Sequence, residues 1–260
     1  MADWFINLTN FSVETNSHFK PYRMKYTTSK HALHLFVGAF ISVAIALFLI
    51  SFKIDRPKES KKFFNGKNLK GWSSTRMDYW SVKDGVIVGH AAETVATNQF
   101  LWSNVKVKDF YLSVDVLLEP NDRNAGIQFR SSKADATGQA LGYQADAGQG
   151  VWGKLYHEHG RKKMDWTNRG EKAVKKGQWN HYEILAVGHK IWTAINGTLS
   201  VSVEDPIGEL SGYIAFQIHS GDAQTVRYRI NKLVHNPPVA LAGLNSAQLM
   251  KELKPVLNEK

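Results

Sequence analysis

Asn124-Ala-Gly-Ile-Gln-Phe-Arg130 reads as a strand with two unlike faces, Ile127 and Phe129 on one and Gln128 and Arg130 on the other. Side chains of an extended chain alternate between two sides, so this pattern buries one face and frees the other for polar chemistry. Two more stretches repeat it. In Phe216-Gln-Ile-His-Ser-Gly221, Phe216 and Ile218 oppose Gln217 and His219; in Gly142-Tyr-Gln-Ala-Asp146, Gly142, Gln144 and Asp146 share one side. A core on one face, with Arg, Asp, Gln and His on the other, implies a sheet whose second face is a binding surface.

Working outward, strand-like runs recur at Val86–Val88, Tyr111–Leu118, Gly126–Ser131, Tyr182–Val187, Lys190–Ile195, Leu199–Val203, Gly212–Ile218 and Val226–Leu233. Asn196-Gly197 between two of them marks a tight hairpin, because its turn requires positive φ, and Asp84-Gly85 is similar. With little helical period, this density of strands predicts an all-β sandwich over residues 63–236. Beyond Pro237-Pro238, Leu249, Met250, Leu253, Val256 and Leu257 follow helical spacing with Ser246 as cap, so residues 237–260 are expected to form a short helical tail on the outside.

The N-terminal part differs in kind. Residues 1–31 are polar and aperiodic, and 53–62 form a charged linker. Between them, residues 32–52 carry no charge. Their length suits a transmembrane helix, which needs about 20 apolar residues. A cleaved signal peptide is the rival reading. The run passes directly into Lys53-Ile-Asp-Arg-Pro57 with no small-residue cleavage site, which favours an anchor. Met24 is an alternative start. Lys and Arg flank both ends, so orientation does not follow from charge; the C-terminal domain is placed on the periplasmic or extracellular side by its expected function.

The net charge is +10, but the basic residues are scattered, with no zinc-finger spacing, aromatic RNA-binding motif or basic helix, so nucleic acid is not an expected partner. The chain has no cysteine, which excludes disulfides and thiolate metal sites.

Phe63-Phe-Asn-Gly-Lys-Asn-Leu-Lys-Gly-Trp72 begins an ordered series of motifs. It continues through Trp80-Ser-Val-Lys-Asp-Gly85, Asp109-Phe-Tyr-Leu112, Asn124–Arg130, Gly142–Asp146, Gly153-Lys-Leu-Tyr156, Trp179-Asn180, Asn196-Gly197 and Gln217-Ile-His-Ser-Gly221. This series resembles the 3-keto-disaccharide hydrolase family over residues 63–235. The resemblance implies a concanavalin-like jelly roll with a carbohydrate cleft, in secreted or envelope enzymes acting on 3-keto-glycosides. One departure is Gln144, where many members carry Glu after Gly-Tyr. The chain is closer to a subgroup with Gly-Tyr-Gln-x-Asp followed by Gly-Lys-Leu-Tyr-x-Glu, in which the acidic work falls to Asp146 or Glu158.

Period-two parity assembles an expected site. Arg130 and Gln128 share a face, as do Asp146 and Gln144, as do Lys154, Tyr156 and Glu158, and as do Gln217 and His219. A 3-keto sugar has an acidified C2–H, so a base could remove that proton, the enolate could expel the C1 substituent, and water could complete a hydrolysis. His219 is the first candidate base, since histidine titrates near neutral pH; Asp146 and Glu158 are the second. Arg130 and Lys154 are expected to stabilise the enolate, while Gln128, Gln144 and Gln217 suit sugar hydroxyls and Tyr156 a sugar face. Trp152 and Trp166 are the candidate stacking platforms, and Trp72, Trp80, Trp179 and Trp192 are assigned to packing. Glycines among these strands leave room for a ligand to approach the backbone. No cofactor is required, although a divalent ion on His219 with Asp146 or Glu158 stays open, as does a His157–His159 pair. Two alternatives remain: a plain glycosidase using Asp146 and Glu158, and a non-catalytic carbohydrate-binding module of the envelope.

Overall fold

The computed structural model describes residues 56–61 and 63–256. The expected anchor at 32–52, the tail at 1–31 and residues 53–55 of the linker lie outside them. Among the described residues no helix is long and apolar enough to cross a membrane.

In chain order the strands begin β1 (Lys58–Glu59), β2 (Trp72–Ser73), β3 (Trp80–Lys83), β4 (Val86–Ala91), β5 (Gln99–Val107), β6 (Phe110–Glu119), β7 (Asn124–Lys133) and β8 (Ala140–Gly148). They continue with β9 (Leu155–Glu158), β10 (Lys162–Asp165), β11 (Asn180–Val187), β12 (Lys190–Ile195), β13 (Thr198–Glu204), β14 (Gly212–Ile218), β15 (Gln224–His235) and β16 (Lys254–Pro255). Two sheets result. One has the order β16-β13-β12-β11-β6-β15-β4-β3, with β1 also on β15; the other has the order β10-β9-β8-β7-β14-β5-β2. The chain is thus an all-β sandwich, antiparallel apart from the β13–β16 pair. Each expected strand exists, and the Asn196-Gly197 and Asp84-Gly85 turns have positive φ at all four residues. The alternation did not reveal β5 or β10, and Lys58–Glu59, inside the expected linker, already pairs with β15.

The core lies between the sheets. Ile127, Phe129, Tyr143, Ala145, Leu155, Phe216 and Ile218 face Leu112, Val114, Val116, Tyr182, Ile184 and Tyr228. Trp72, Phe216 and Tyr228 stack in sequence, with ring centroids 5.3 and 4.2 Å apart. Burial of such side chains stabilises by about 1.5–3 kcal/mol each, and offset aromatic pairs add to this.

After Asn236 the tail crosses the outer face of the β11–β12 side. Its helix, α1 (Ser246–Lys251), buries Leu249 against Leu185, Trp192, Ala194 and Leu241. Two details depart from the sequence reading. The cap is Asn245, not Ser246: its side chain accepts from the Gln248 amide at 3.0 Å while the Gln248 side chain accepts from the Asn245 amide at 3.0 Å. The helix also stops at Lys251 instead of following the apolar spacing to Val256. Pro255 has no amide proton and pushes Lys254 into an extended conformation, so Lys254–Pro255 joins Val203–Glu204 as a strand.

Candidate functional site

Cross-strand register gathers the polar face of the second sheet. Gln128 pairs with Gln144 and Gly126 with Asp146, while on the other side of β8 Gln144 pairs with Tyr156 and Gly142 with Glu158. Directly opposed residues share a face, so these side chains stand together. The β14 strand adds Gln217 opposite Gly126 and ends just before His219. The outcome is a hollow of about 220 Å³ lined by Asn124, Gln144, Asp146, Val151, Tyr156, Glu158, Trp166 and His219. That is below the roughly 300–1,000 Å³ of drug-sized clefts and suits a single ring. Two hollows of about 440 Å³ lie elsewhere. One is roofed by the tail residues Pro237, Pro238, Leu241 and Leu244, and its carboxylate, Glu183, is already engaged by the Tyr111 hydroxyl at 2.7 Å. The other, beside Trp102 and Tyr213, holds no carboxyl or imidazole.

Electrostatics single out the smaller hollow. Asp146 is 4% exposed. Burial pushes its carboxyl up to about 8, and the neighbouring Glu158 adds to this, against a hydrogen bond from Gln144 and the charge of Lys154. Glu158 is also raised, chiefly by burial, with His159, His219 and the Asn98 hydrogen bond opposing. The Tyr156 phenol is raised by burial and by both carboxyls. Asn98 Nδ2 donates to Glu158 Oε1 at 3.2 Å, and its own Oδ1 accepts from the Ser220 amide at 2.8 Å. His219 Nδ1 lies 2.7 Å from the Ser220 carbonyl. A carbonyl only accepts, so Nδ1 carries the proton and Nε2 is the ring's free acceptor when neutral. The hollow therefore combines a carboxyl that is largely protonated at neutral pH with an imidazole nitrogen able to receive a proton.

The expected residues divide into three groups. Asp146, Glu158, His219, Gln144 and Tyr156 line the hollow. Gln128 stands one layer behind, fully buried, and donates to Gln144 Oε1 at 2.6 Å. Lys154 is buried with its ammonium 5.0 Å from the Trp166 ring, close enough to act on Asp146 through its charge. Gln217 is buried on the same face, and neither end of its amide has a partner among the described residues.

The third group lies elsewhere. Arg130 was expected beside Gln128, but β7 shifts register between Phe129 and Ser132, with Arg130 at φ 48°. This bulge breaks the alternation. The guanidinium turns away and bonds the Lys108 carbonyl (2.8 Å), the Gly188 carbonyl (2.7 Å) and Asp109 (3.2 Å). Arg130 is thus a structural cation with no place at the hollow. Trp152 is 1% exposed within the core, and Trp166 supplies the aromatic wall instead. Trp179 is half-buried with the Arg229 guanidinium over its ring, not packed in the core. His157 pairs with Glu209 at 3.0 Å and His159 with the Ala140 carbonyl at 2.9 Å, so they do not share a ligand. Among the described residues no three His, Asp or Glu side chains gather in a way that could hold a metal ion. The glycines also serve another purpose than ligand approach. A Cβ on Gly126 would lie 2.6 Å from Gln144 Cδ, and one on Gly142 would lie 2.5 Å from Ser131 Oγ, so the space is filled by side chains.

Sequence reasoning missed Asn98 and the side-chain role of Asn124. Asn98 sits in the loop before β5, where no periodicity speaks. Asn124 opens β7, and its buried Oδ1 lacks a partner among the described residues.

Residues 59–233 match the 3-keto-alpha-glucoside-1,2-lyase-like domain. Similar solved structures include a candidate glycosyl hydrolase from Parabacteroides distasonis ATCC 8503, at 18% identity and TM-score 0.49, covering 67% of this chain and 92% of that one. A second such structure from the same organism has 20% identity and TM-score 0.48, covering 69% and 98%. The carbohydrate-binding module CBM66 from Bacillus subtilis has 16% identity and TM-score 0.46, covering 62% and 94%. A search of curated proteins finds no match. Two thirds of the chain, including every residue of the hollow, falls within the family match, and the protein belongs to the 3-keto-alpha-glucoside-1,2-lyase-like family.

Proposed function

We propose that this protein cleaves 3-keto-glycosides by elimination across C1 and C2, followed by hydration. The observation that carries the reading is the meeting of a buried, largely protonated carboxyl with an imidazole acceptor in a ring-sized hollow. His219 Nε2 takes the C2 proton, and the electron pair of the C2–H bond moves into the enolate of the C3 ketone. The enolate collapses to a C1=C2 double bond and breaks the C1–O bond. The leaving oxygen takes the proton of Asp146. Water added across C1=C2 gives the product of net hydrolysis, and the proton taken up by His219 returns to solvent or to Asp146. Lys154 supplies positive potential for the enolate in a poorly solvated setting, where such a field is most effective. Glu158, held by Asn98, together with Tyr156 and Asn124, offers partners for sugar hydroxyls, and Trp166 a ring face.

We further propose that the substrate is a 3-keto sugar, that residues 32–52 tether the chain to a membrane, and that the domain lies on the periplasmic or extracellular side. The test is to incubate the full-length chain with 3-keto-trehalose, 3-keto-sucrose and their unoxidised parents. Turnover of the keto forms alone is expected. Turnover of the parents would replace the elimination with ordinary glycosidase chemistry. Binding with no turnover of any would leave a carbohydrate-binding module.

A further inference from the structure

Three side chains that the reaction above does not use, Ser131, Gln128 and Gln144, run in file from behind the hollow to Asp146. Ser131 Oγ donates to Gln128 Oε1 at 2.8 Å, Gln128 Nε2 to Gln144 Oε1 at 2.6 Å, and Gln144 Nε2 to Asp146 Oδ1 at 2.6 Å. All four residues are at most 4% exposed. Two glycines make room for the file, since a Cβ at Gly126 or Gly142 would collide with Gln144 or Ser131. The Arg130 bulge places Ser131 at its end, because a regular β7 would turn this residue to the opposite face.

The chemistry of the links allows two polarities. An amide rotated by half a turn occupies the same space with oxygen and nitrogen exchanged. With Asp146 ionised, the donors run from Ser131 toward the carboxylate. With Asp146 protonated, its O–H donates to Gln144 Oε1, Gln144 Nε2 to Gln128 Oε1 and Gln128 Nε2 to Ser131 Oγ. The Ser131 hydroxyl then needs an acceptor of its own, and the carbonyls of Phe129 and Tyr143 stand 2.9 and 3.1 Å away. Every link is satisfied either way. We propose that Ser131, Gln128 and Gln144 form a reversible hydrogen-bond chain that stabilises Asp146 in both charge states, making Ser131 and Gln128 positioning residues for its proton transfer.

This inference rests on Asp146 losing and regaining a proton, as in the proposed function. Other titratable or charged groups also face Asp146. They are Glu158 and Tyr156 of β9, Lys154 just before it, His219 after β14, and Tyr182 of β11, whose hydroxyl reaches the Asp146 carbonyl at 3.2 Å. The chain is the element that reverses.

The test needs no substrate. In the full-length protein labelled with ¹⁵N and ¹³C, the side-chain amide of Gln128, two links from the carboxyl, is expected to titrate with the same midpoint as the Asp146 carboxyl carbon. Gln128 resonances that stay flat through that midpoint would overturn the proposal. A variant gives the direction. Ionised Glu in Gln128→Glu only accepts, so it takes both the Ser131 and Gln144 donors and turns Gln144 Oε1 toward Asp146. The Asp146 midpoint should rise by about one pH unit, a tenfold change in its ionisation constant. Gln128→Met, which breaks the link without setting a direction, should stay within a few tenths of wild type. An unchanged or lowered midpoint in folded Gln128→Glu would also overturn the chain. The wild-type titration decides if that variant does not fold. Turnover of keto sugars with flat Gln128 resonances removes the chain and leaves the proposed function standing; a titrating Gln128 without turnover does the reverse.

Discussion

The strand β8 ends in two different electrostatic worlds. Near its start Tyr143 donates to Asp205, which Arg161 also holds through an ion pair. Close by, Arg130 is tied to Asp109 and two carbonyls, and His157 to Glu209. Burial alone would raise the Asp205 carboxyl, yet the bonds from Arg161 and Tyr143 keep it below its usual range. Near the other end Asp146, likewise buried, receives one neutral amide, and its carboxyl rises to about 8. Both regions draw on β8 and use similar residue types, the first reaching Asp205, which follows β13 of the other sheet. In one, each buried charge has an opposite partner and the cluster is locked. In the other, a carboxyl is held without a bonded cation, next to a second carboxyl. Such poorly compensated groups in a hollow are where proton chemistry is expected.

The largest separation between the regions should come from one substitution in each. His219→Ala is expected to lower kcat for a 3-keto-glycoside by about 10²–10⁴-fold, the usual worth of a positioned base. It should leave Tm nearly unchanged, and deuterium exchange at C2 should fall with it. Arg130→Met is expected to do the opposite. It leaves the partly exposed Asp109 and the Lys108 and Gly188 carbonyls without their donor, a loss of about 1–3 kcal/mol for buried acceptors left unsatisfied. The folded fraction should keep its KM. If Arg130→Met abolished turnover at an unchanged Tm, Arg130 would belong to the reacting hollow and not to the locked cluster.

What was legible in the sequence follows the same division. Period two held wherever β7, β8, β9 and β14 are regular, so spacing gives the face each side chain takes within its own strand, while the meeting of Gln144, Asp146, Tyr156, Glu158 and His219 in one hollow comes from the cross-strand register. It failed at Arg130, because a bulge is a local conformational choice that leaves no mark in the alternation. Trp152 and Trp166 were equivalent as sequence signals. Only the turn from Gly148 to Gly153 and the pairing of β10 with β9 decide that one enters the core and the other the wall. Asn98 was invisible because it acts from a loop and reaches Glu158 across 60 residues. The helix cap moved by one residue for a comparable reason: Asn and Ser are both good caps, and the choice depends on which has Gln three positions on.

The two carboxyls should also separate in their response to pH. Asp146 has a folded value of about 8 against an ordinary 3.8, so between those limits the folded state binds more protons than the unfolded one. Stability therefore falls as pH rises through that window. Asp146→Asn removes this dependence. Its Tm should match wild type near pH 4 and exceed it by several degrees above pH 8, at about 2–4 °C per kcal/mol for a domain of this size. Asp205 has the opposite sign: its contribution is present above the unfolded value and is lost as pH falls through the lower folded one. Asp205→Asn should accordingly cost most at neutral pH and least in acid. Thermal scans across pH on both variants check this. A difference between Asp146→Asn and wild type that is the same at every pH would show that Asp146 is compensated after all.

The smallest expected effect sharpens the boundary of the hollow. Trp166 is half-buried, with its ring 5.9 Å from that of Tyr156 and with the Lys154 and Lys163 ammonium groups 5.0 and 5.4 Å from its centroid. Two cations lie against the indole, and its ring forms one wall of a hollow otherwise lined mainly by polar side chains, with Val151 the apolar exception. A sugar ring against it would gain apolar contact of about 1 kcal/mol. Trp166→Ala should therefore raise KM roughly fivefold. It should leave kcat and Tm close to wild type, because no acid or base is touched and the core is not opened. Trp152→Ala should instead lower Tm and spare KM, since that ring belongs to the core cluster. An unchanged KM in folded Trp166→Ala would mean that the ring wall contributes no binding, and that recognition rests on the polar side of the hollow alone.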